Sequence, residues 1–205
     1  MKELGALVGP GIRIDLASDT PIFRRPYRYS DMERDLIRSR VLDLLEVGLV
    51  ELLHGEYASA TVMPAKKDMH GNYTDRRMCG DYRPINRQTK SDKYAMPTPE
   101  EIFDVVGHAR VFSTLDLRAR YHQFPIREED KAKTTFWGVN SHGKDCLYQW
   151  RFLPFGLKNA PAEFQRVMGR ILQGWILFGV TLMIFWCSVI LWSSTRYIYR
   201  LRLSG

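Results

Sequence analysis

Between Trp175 and Trp192 the chain carries no charged residue: WILFGVTLMIFWCSVILW is an unbroken neutral run, and the last acidic residue of all is Glu163. A run of this length meets the minimum for a helix that crosses a bilayer, roughly 18 to 20 residues. The basic stretch RYIYRLR behind it has the charge bias of a membrane flank. The rest of the chain is of another kind. With 45% hydrophobic and 26% charged residues overall, 205 residues suffice for one ordinary domain with a substantial core. The formal net charge of +7 and pI near 9.4 favour a polyanionic partner.

Cys79, Cys146 and Cys187 are widely spaced thiols without a Cys-x-x-Cys pair, and the start, Met1-Lys-Glu-Leu-Gly, has no signal-peptide pattern. This predicts a reducing, intracellular setting. The five histidines lack the short spacings of zinc sites, so no metal site is read from them.

Residues 1–28 carry Gly and Pro punctuation and little periodicity, which predicts an extended arm or linker. Ser30 and Glu33 form a capping box before Ile37, Val41, Leu44 and Leu45, spaced as one helical face ending near Gly48. Extended segments from Ser59 to Lys67 and Tyr73 to Tyr82 flank a turn-rich loop, Asp68-Met-His-Gly-Asn72, with basic residues at both ends. Thr98-Pro99-Glu100-Glu101 predicts a helix from Pro99 to about Val106, closed by Gly107. Val111 to Leu117 reads as a buried strand, and Asp145 to Phe152 alternates, with Cys146, Tyr148, Trp150 and Phe152 on one face. Asn159 and Pro161 open a helix whose inward residues are Phe164, Val167, Met168 and Ile171. The order of elements predicts an α+β domain without internal repeats.

Asp116 stands near the end of the apolar strand VFSTLDL. A carboxylate emerging from a rigid strand can hold Mg²⁺, which prefers oxygen ligands and substrate phosphates; the structural alternative is an Asp that caps the following turn. The surroundings favour the first. Met78-Cys-Gly-Asp-Tyr-Arg-Pro-Ile-Asn86, Phe112-Ser-Thr-Leu-Asp-Leu117 with Tyr121-His-Gln123, and Phe152-Leu-Pro-Phe-Gly-Leu-Lys-Asn-Ala-Pro-Ala-Glu-Phe-Gln165 follow one another in the chain. In order and spacing these blocks resemble the reverse transcriptase of gypsy-type LTR retrotransposon Pol polyproteins, over roughly Ile14 to Leu172.

The resemblance implies a right-hand polymerase, with fingers and a ferredoxin-like palm core. It implies RNA-templated DNA synthesis, with primer-template and deoxynucleoside triphosphates as partners and Mg²⁺ as cofactor. By it Asp116 is the catalytic and first metal-binding carboxylate, and Tyr121 is the gate that excludes a ribose 2′-hydroxyl. Lys66 and Arg77, on the two arms of the hairpin, grip the triphosphate; Phe155 and Gly156 line the nucleotide pocket and contact the template. These roles suit phosphoryl transfer, where catalysis is largely positioning and charge neutralisation. The ordinary alternative for Lys66 and Arg77 is a solvated hairpin face.

Two departures predict inactivity. Ala119-Arg120 stands where the family has Ser-Gly before the gate tyrosine, putting a bulky cation beside the sugar pocket. The hairpin with two adjacent aspartates, usually Tyr-Ile-Asp-Asp, is missing after Leu172, which leaves the palm incomplete. The genetic code permits it one base out of phase: codons for Val180 to Val189 can be chosen so that TACATTGATGATATTCTGGTGTTCAGT, Tyr-Ile-Asp-Asp-Ile-Leu-Val-Phe-Ser, runs through them. Met183 and Trp186, with one codon each, both fit. The expected organisation is an arm (1–28), fingers and partial palm (29–172), and an out-of-frame hydrophobic tail (173–205) created by a base lost near Leu172. The chain is then a frameshifted pseudogene fragment, with two rivals: a relic that binds nucleic acid nonspecifically, and a membrane protein tail-anchored through Trp175–Trp192.

Overall fold

The computed structural model of the chain describes residues 11–18, 20–67, 73–76, 78–94, 98, 100–101, 111–116, 120–173, 180–181 and 188–193. In chain order the elements are helix α1 (Asp31–Glu46), strands β1 (Val50–Leu52), β2 (Thr61–Val62), β3 (Ala65–Lys67), β4 (Tyr73–Arg76) and β5 (Cys79–Gly80), and helix α2 (Arg83–Gln88). Strand β6 (Val111–Asp116), a 3₁₀ turn (Arg120–Gln123), helix α3 (Glu128–Lys131), a second 3₁₀ turn (Ala132–Thr134) and strands β7 (Phe136–Val139) and β8 (Asp145–Trp150) follow. Helix α4 (Ala160–Gln173) and strands β9 (Val180–Thr181) and β10 (Ser188–Ser193) come last. The mixture of helix and sheet is the one expected from the residue pattern. The chain divides into two units, one of residues 1–91 with 121–160, the other of residues 92–120 with 161–205.

In the first unit α1 begins as predicted. Ser30 Oγ accepts from the Glu33 backbone N–H at 3.3 Å, and the Ser30 N–H donates to Glu33 Oε2 at 3.1 Å, so two orphan donors of the first turn are satisfied. Ile37 and Val41 are completely buried while Leu44 and Leu45 are half-buried, and the helix lies against β7. Strands β1, β8 and β7 form an antiparallel sheet in that order, with Val50 opposite Trp150 and Phe136 opposite Tyr148. Phe136, Tyr148 and Trp150 are buried, with Phe136 and Trp150 ring centroids 5.7 Å apart. This aromatic layer is the centre of the core.

The first part of the chain is no loose linker in its described residues. Ile12 and Ile14 are buried, and Ile12 bridges Ile126 while Leu16 bridges Thr89. The buried Asp130 carboxylate fixes the arm: its Oδ2 accepts from the Ile14 N–H at 3.0 Å, and its Oδ1 accepts from Lys133 Nζ, which also donates to the Ile14 carbonyl. Low sequence periodicity concealed this. An arm held by backbone hydrogen bonds to distant residues leaves no repeating apolar pattern. The two extended segments expected around the loop are shorter strands: β2 pairs with β5, and β3 pairs with β4 through Ala65 to Arg76 and Lys67 to Tyr73. The loop itself, 68–72, lies outside the described residues.

In the second unit the cap predicted for the helix at Pro99 is present: the Glu101 N–H donates to Thr98 Oγ1 at 3.3 Å, and the Thr98 N–H to Glu101 Oε2 at 2.8 Å. The rest of that helix lies outside the described residues. Helix α4 buries Ala162, Phe164 and Met168 and leaves Val167 half-buried. Arg166 bonds Glu163 and Asp92, each at 2.5 Å, and its guanidinium stands 5.0 Å from the Tyr94 ring centroid.

The tail differs most from expectation. Strands β6, β10 and β9 form one sheet in that order, β10 running antiparallel to β6 with Ser188 opposite Asp116 and Ser193 opposite Val111. The described parts of Trp175–Trp192 are therefore strand, and no described helix is long and apolar enough to cross a membrane. A sheet position next to β6, expected to lack a partner, is filled. The reason is composition: Ser188-Val-Ile-Leu-Trp-Ser193 is rich in β-branched and aromatic residues. What the tail does not supply is a carboxylate.

Candidate nucleotide-binding site

The turn after β8 carries Phe155 and Gly156, and the 3₁₀ turn carries Tyr121. Both belong to the first unit, and their rings meet: the Tyr121 and Phe155 centroids are 5.2 Å apart at 63°, an edge-to-face contact worth about 0.5–1.5 kcal/mol beyond burial. Phe155 keeps 46% of its surface exposed. A large ring held by neighbouring rings and still about half exposed can receive an apolar or flat ligand.

Two conformational constraints fix this loop. Gly156 has φ +96°, a region that costs an L-residue roughly 1–2 kcal/mol. Its carbonyl accepts from Asn86 Nδ2 at 2.7 Å, and Asn86 Oδ1 accepts from the Lys158 N–H at 2.8 Å. One amide side chain on α2 thus clamps both sides of the turn. Lys158 Nζ also donates to the Thr89 carbonyl at 3.2 Å. Gly80 is required for a different reason: a β-carbon there would stand 2.5 Å from Tyr82 Cζ. Tyr82 cannot yield, being buried and donating to the Thr134 carbonyl at 2.9 Å. Burial pushes its phenol well above the ordinary range, so it remains a donor.

Beneath Phe155 lies His122, whose ring stacks on Trp150 at 5.0 Å and meets Phe155 edge-on at 5.3 Å. Its Nε2 is buried without a hydrogen-bond partner among the described residues, and burial pushes the imidazole down to about 4. A neutral ring is the form that suits such a place. Beside Gly80, Asp81 accepts from Arg83 through two bonds of 2.7 and 2.6 Å and from the Tyr27 hydroxyl at 2.8 Å. The Arg83 guanidinium, helped by Tyr27, holds the Asp81 carboxyl far below the usual carboxylate range against the opposing effect of burial.

Of the residues singled out from sequence, the structure brings together Tyr121, Phe155 and Gly156. Lys66 is the middle residue of β3, Arg77 lies outside the described residues, and Asp116 ends β6 in the second unit. Sequence reasoning assigned no role to Asn86, His122 or Tyr82. Asn86 stood inside a recognised block, and an Asn within a short helix is the one available signal of a side chain engaged elsewhere. A polar cleft of about 530 Å³ between Arg13, Asp15, Arg127 and Lys133 contains none of the predicted residues.

Among the described residues no donor set for the metal that the resemblance implies comes together. The backbone partners of Asp116 and Leu115 are Ser188 and Val189, and there is no acidic residue after Glu163. No group of three His, Cys, Asp or Glu converges among the described residues.

Residues 65–199 match the family described as reverse transcriptase (RNA-dependent DNA polymerase), so the match includes β6 and the strands of the tail. The chain belongs to that family, whose members synthesise DNA on an RNA template, bind nucleic acid and nucleotides, and require a divalent metal. Retrotransposon proteins are among its relatives. The retrovirus-related Pol polyprotein from transposon 297 of Drosophila melanogaster is 34% identical over 161 residues, 78% of this chain and 15% of that protein. That from transposon gypsy is 36% identical over 162 residues, again 78% and 15%, and that from transposon opus is 33% identical over 171 residues, 82% and 17%. The chain thus spans 15 to 17% of the length of these relatives.

Proposed function

We propose that this chain is the fingers and partial palm of a gypsy-type reverse transcriptase which retains one wall of the nucleotide pocket and does not itself synthesise DNA. The observation that carries this reading is the partner of Asp116. In a two-metal nucleotidyl transfer, further carboxylates must share Mg²⁺ with the first, to clamp the attacking and leaving oxygens. Here the strand beside Asp116 offers Ser188, Val189 and no acid. Tyr121, Phe155 and Gly156 form the surviving wall for base and sugar, and Lys66 and Arg77 are assigned to the triphosphate. Ala119-Arg120 before Tyr121, where the family has Ser-Gly, is a second departure in the same direction.

Loss of one base near Leu172 accounts for the missing aspartates, and for a tail that is apolar without having been selected as a membrane segment. The partners of the intact enzyme are an RNA or DNA primer-template and deoxynucleoside triphosphates. The test is primer extension by the purified chain on an RNA template with Mg²⁺: no incorporation above background is expected, and template-dependent incorporation overturns the reading. Sequencing the gene tests the origin independently. Codons for Val180 to Ser188 that do not spell Tyr-Ile-Asp-Asp one base out of phase exclude the frameshift.

A further inference from the structure

We propose that the polar cleft between the N-terminal arm, Lys90 and the segment 127–133 binds a small phosphoryl dianion, at a place separate from the candidate nucleotide pocket. All of its lining residues belong to the first unit, and Tyr121, Phe155 and Gly156 are not among them. Its volume of about 530 Å³ lies within the range of small-molecule sites, roughly 300–1,000 Å³. Such sites are mostly apolar. Here Leu16 and Tyr57 are the exceptions in a lining of charged side chains, which suits an ionic ligand.

Backbone hydrogen bonds between segments far apart in sequence fix the walls. The Ile12 N–H donates to the Pro125 carbonyl at 2.7 Å, and the Arg127 N–H to the Ile12 carbonyl at 3.1 Å. Further along the arm the Lys90 N–H donates to the Asp15 carbonyl at 2.9 Å, and the Ala17 N–H to the Gln88 carbonyl at 2.7 Å. Arg13, Asp15, Lys90 and Arg127 are therefore carried on backbone that is ordered before a ligand arrives, and binding loses little further entropy there.

Charge decides the sign of the ligand. Four cations and three carboxylates line the cleft. Asp130 is already spent: it is buried, and its two oxygens accept from Lys133 and from the Ile14 N–H. Asp15 pairs with Arg13 Nε at 2.5 Å, which leaves both terminal nitrogens of that guanidinium without a partner among the described residues. Glu129 stands 3.7 Å from Arg127 Nη1, a loose and exposed pair that contributes little and can be displaced. Lys90 is exposed and makes no ion pair or side-chain hydrogen bond among the described residues. A cation is disfavoured, because every carboxylate has a cationic partner. An anion finds two guanidinium forks with donors to spare and a free ammonium; the forks match the oxygens of a phosphoryl group, and the ammonium adds a point charge.

The test follows the phosphorus NMR linewidth of inorganic phosphate as the full chain is added at constant ionic strength. Lys90→Ala, with unchanged circular dichroism, is expected to weaken phosphate about tenfold, the effect of losing one charge-assisted hydrogen bond, and Lys90→Arg to restore it. Glu129→Gln frees Arg127 and is expected to tighten phosphate about threefold, whereas Asp35→Asn, which removes the same charge on α1 outside the cleft, leaves it unchanged. Phenyl phosphate is expected to compete, and a thymidine oligonucleotide without a terminal phosphate is not. Equal competition by that oligonucleotide places the phosphate on a nucleic-acid surface and overturns the cleft site. If broadening survives Lys90→Ala but is lost in Lys66→Ala, phosphate occupies the triphosphate position; the cleft proposal falls and the polymerase reading stands. Absence of broadening by the unaltered chain overturns the cleft site as well and leaves the family reading untouched.

Discussion

Lowering the pH from 7 to 5 tests the layer beside Phe155 through one side chain. His122 is stacked on Trp150 with its Nε2 buried, and burial lowers its pKa from 6.5 to about 4. The unfolded chain takes up this proton near pH 6.5, the folded chain only near pH 4. Between those values the unfolded state binds more protons, so folding stability falls as the pH falls. The full shift corresponds to roughly 3 kcal/mol, reached below pH 4, and the part incurred between pH 7 and pH 5 is about 2 kcal/mol. That is a large share of a stability of typically ~5–15 kcal/mol. The comparison is His122→Phe, which keeps a ring against Trp150 and Phe155 but cannot titrate. Urea unfolding followed by tryptophan fluorescence, at pH 7 and at pH 5, should show the unaltered chain losing about 2 kcal/mol more than the variant. At pH 7 the variant should be equally stable or slightly more so, because a buried polar atom without a partner has been removed. Parallel losses in the two proteins, to within ~0.5 kcal/mol, would refute the idea that His122 is buried and neutral in the fold.

Two further outcomes follow from the site geometry. Gly80→Ala sets a methyl 2.5 Å from Tyr82 Cζ, where the hydroxyl bond to Thr134 and full burial prevent escape, and should cost about 2–3 kcal/mol by urea unfolding. Asn86→Ala releases the Gly156 carbonyl and the Lys158 N–H together; a loss of ~1–2 kcal/mol and faster tryptic cleavage after Lys158 are expected, and unchanged cleavage would show that Asn86 does not hold the loop.

Sequence alone was enough for what is local or carried by motif. The Ser30 and Glu33 capping box, the inward face of α1 at Ile37 and Val41 and the cap at Thr98 depend on neighbours a few residues apart, and the structure has them; in β8, Tyr148 and Trp150 are buried as expected, but Gln149 between them is buried as well and Phe152 lies beyond the strand. Family membership also lay in the motif blocks. Long-range contacts left no such trace. The arm is secured by Asp130, more than a hundred residues away, and the Phe155 loop by Asn86, about seventy away, through side-chain hydrogen bonds that impose no period on the chain. The tail shows the same division. Its sequence determined that it is apolar and free of acid, properties equally suited to a helix in lipid or to a strand. Only the tertiary structure, by offering β6 as a hydrogen-bonding edge, decided for strand, and so set Ser188 rather than a carboxylate opposite Asp116.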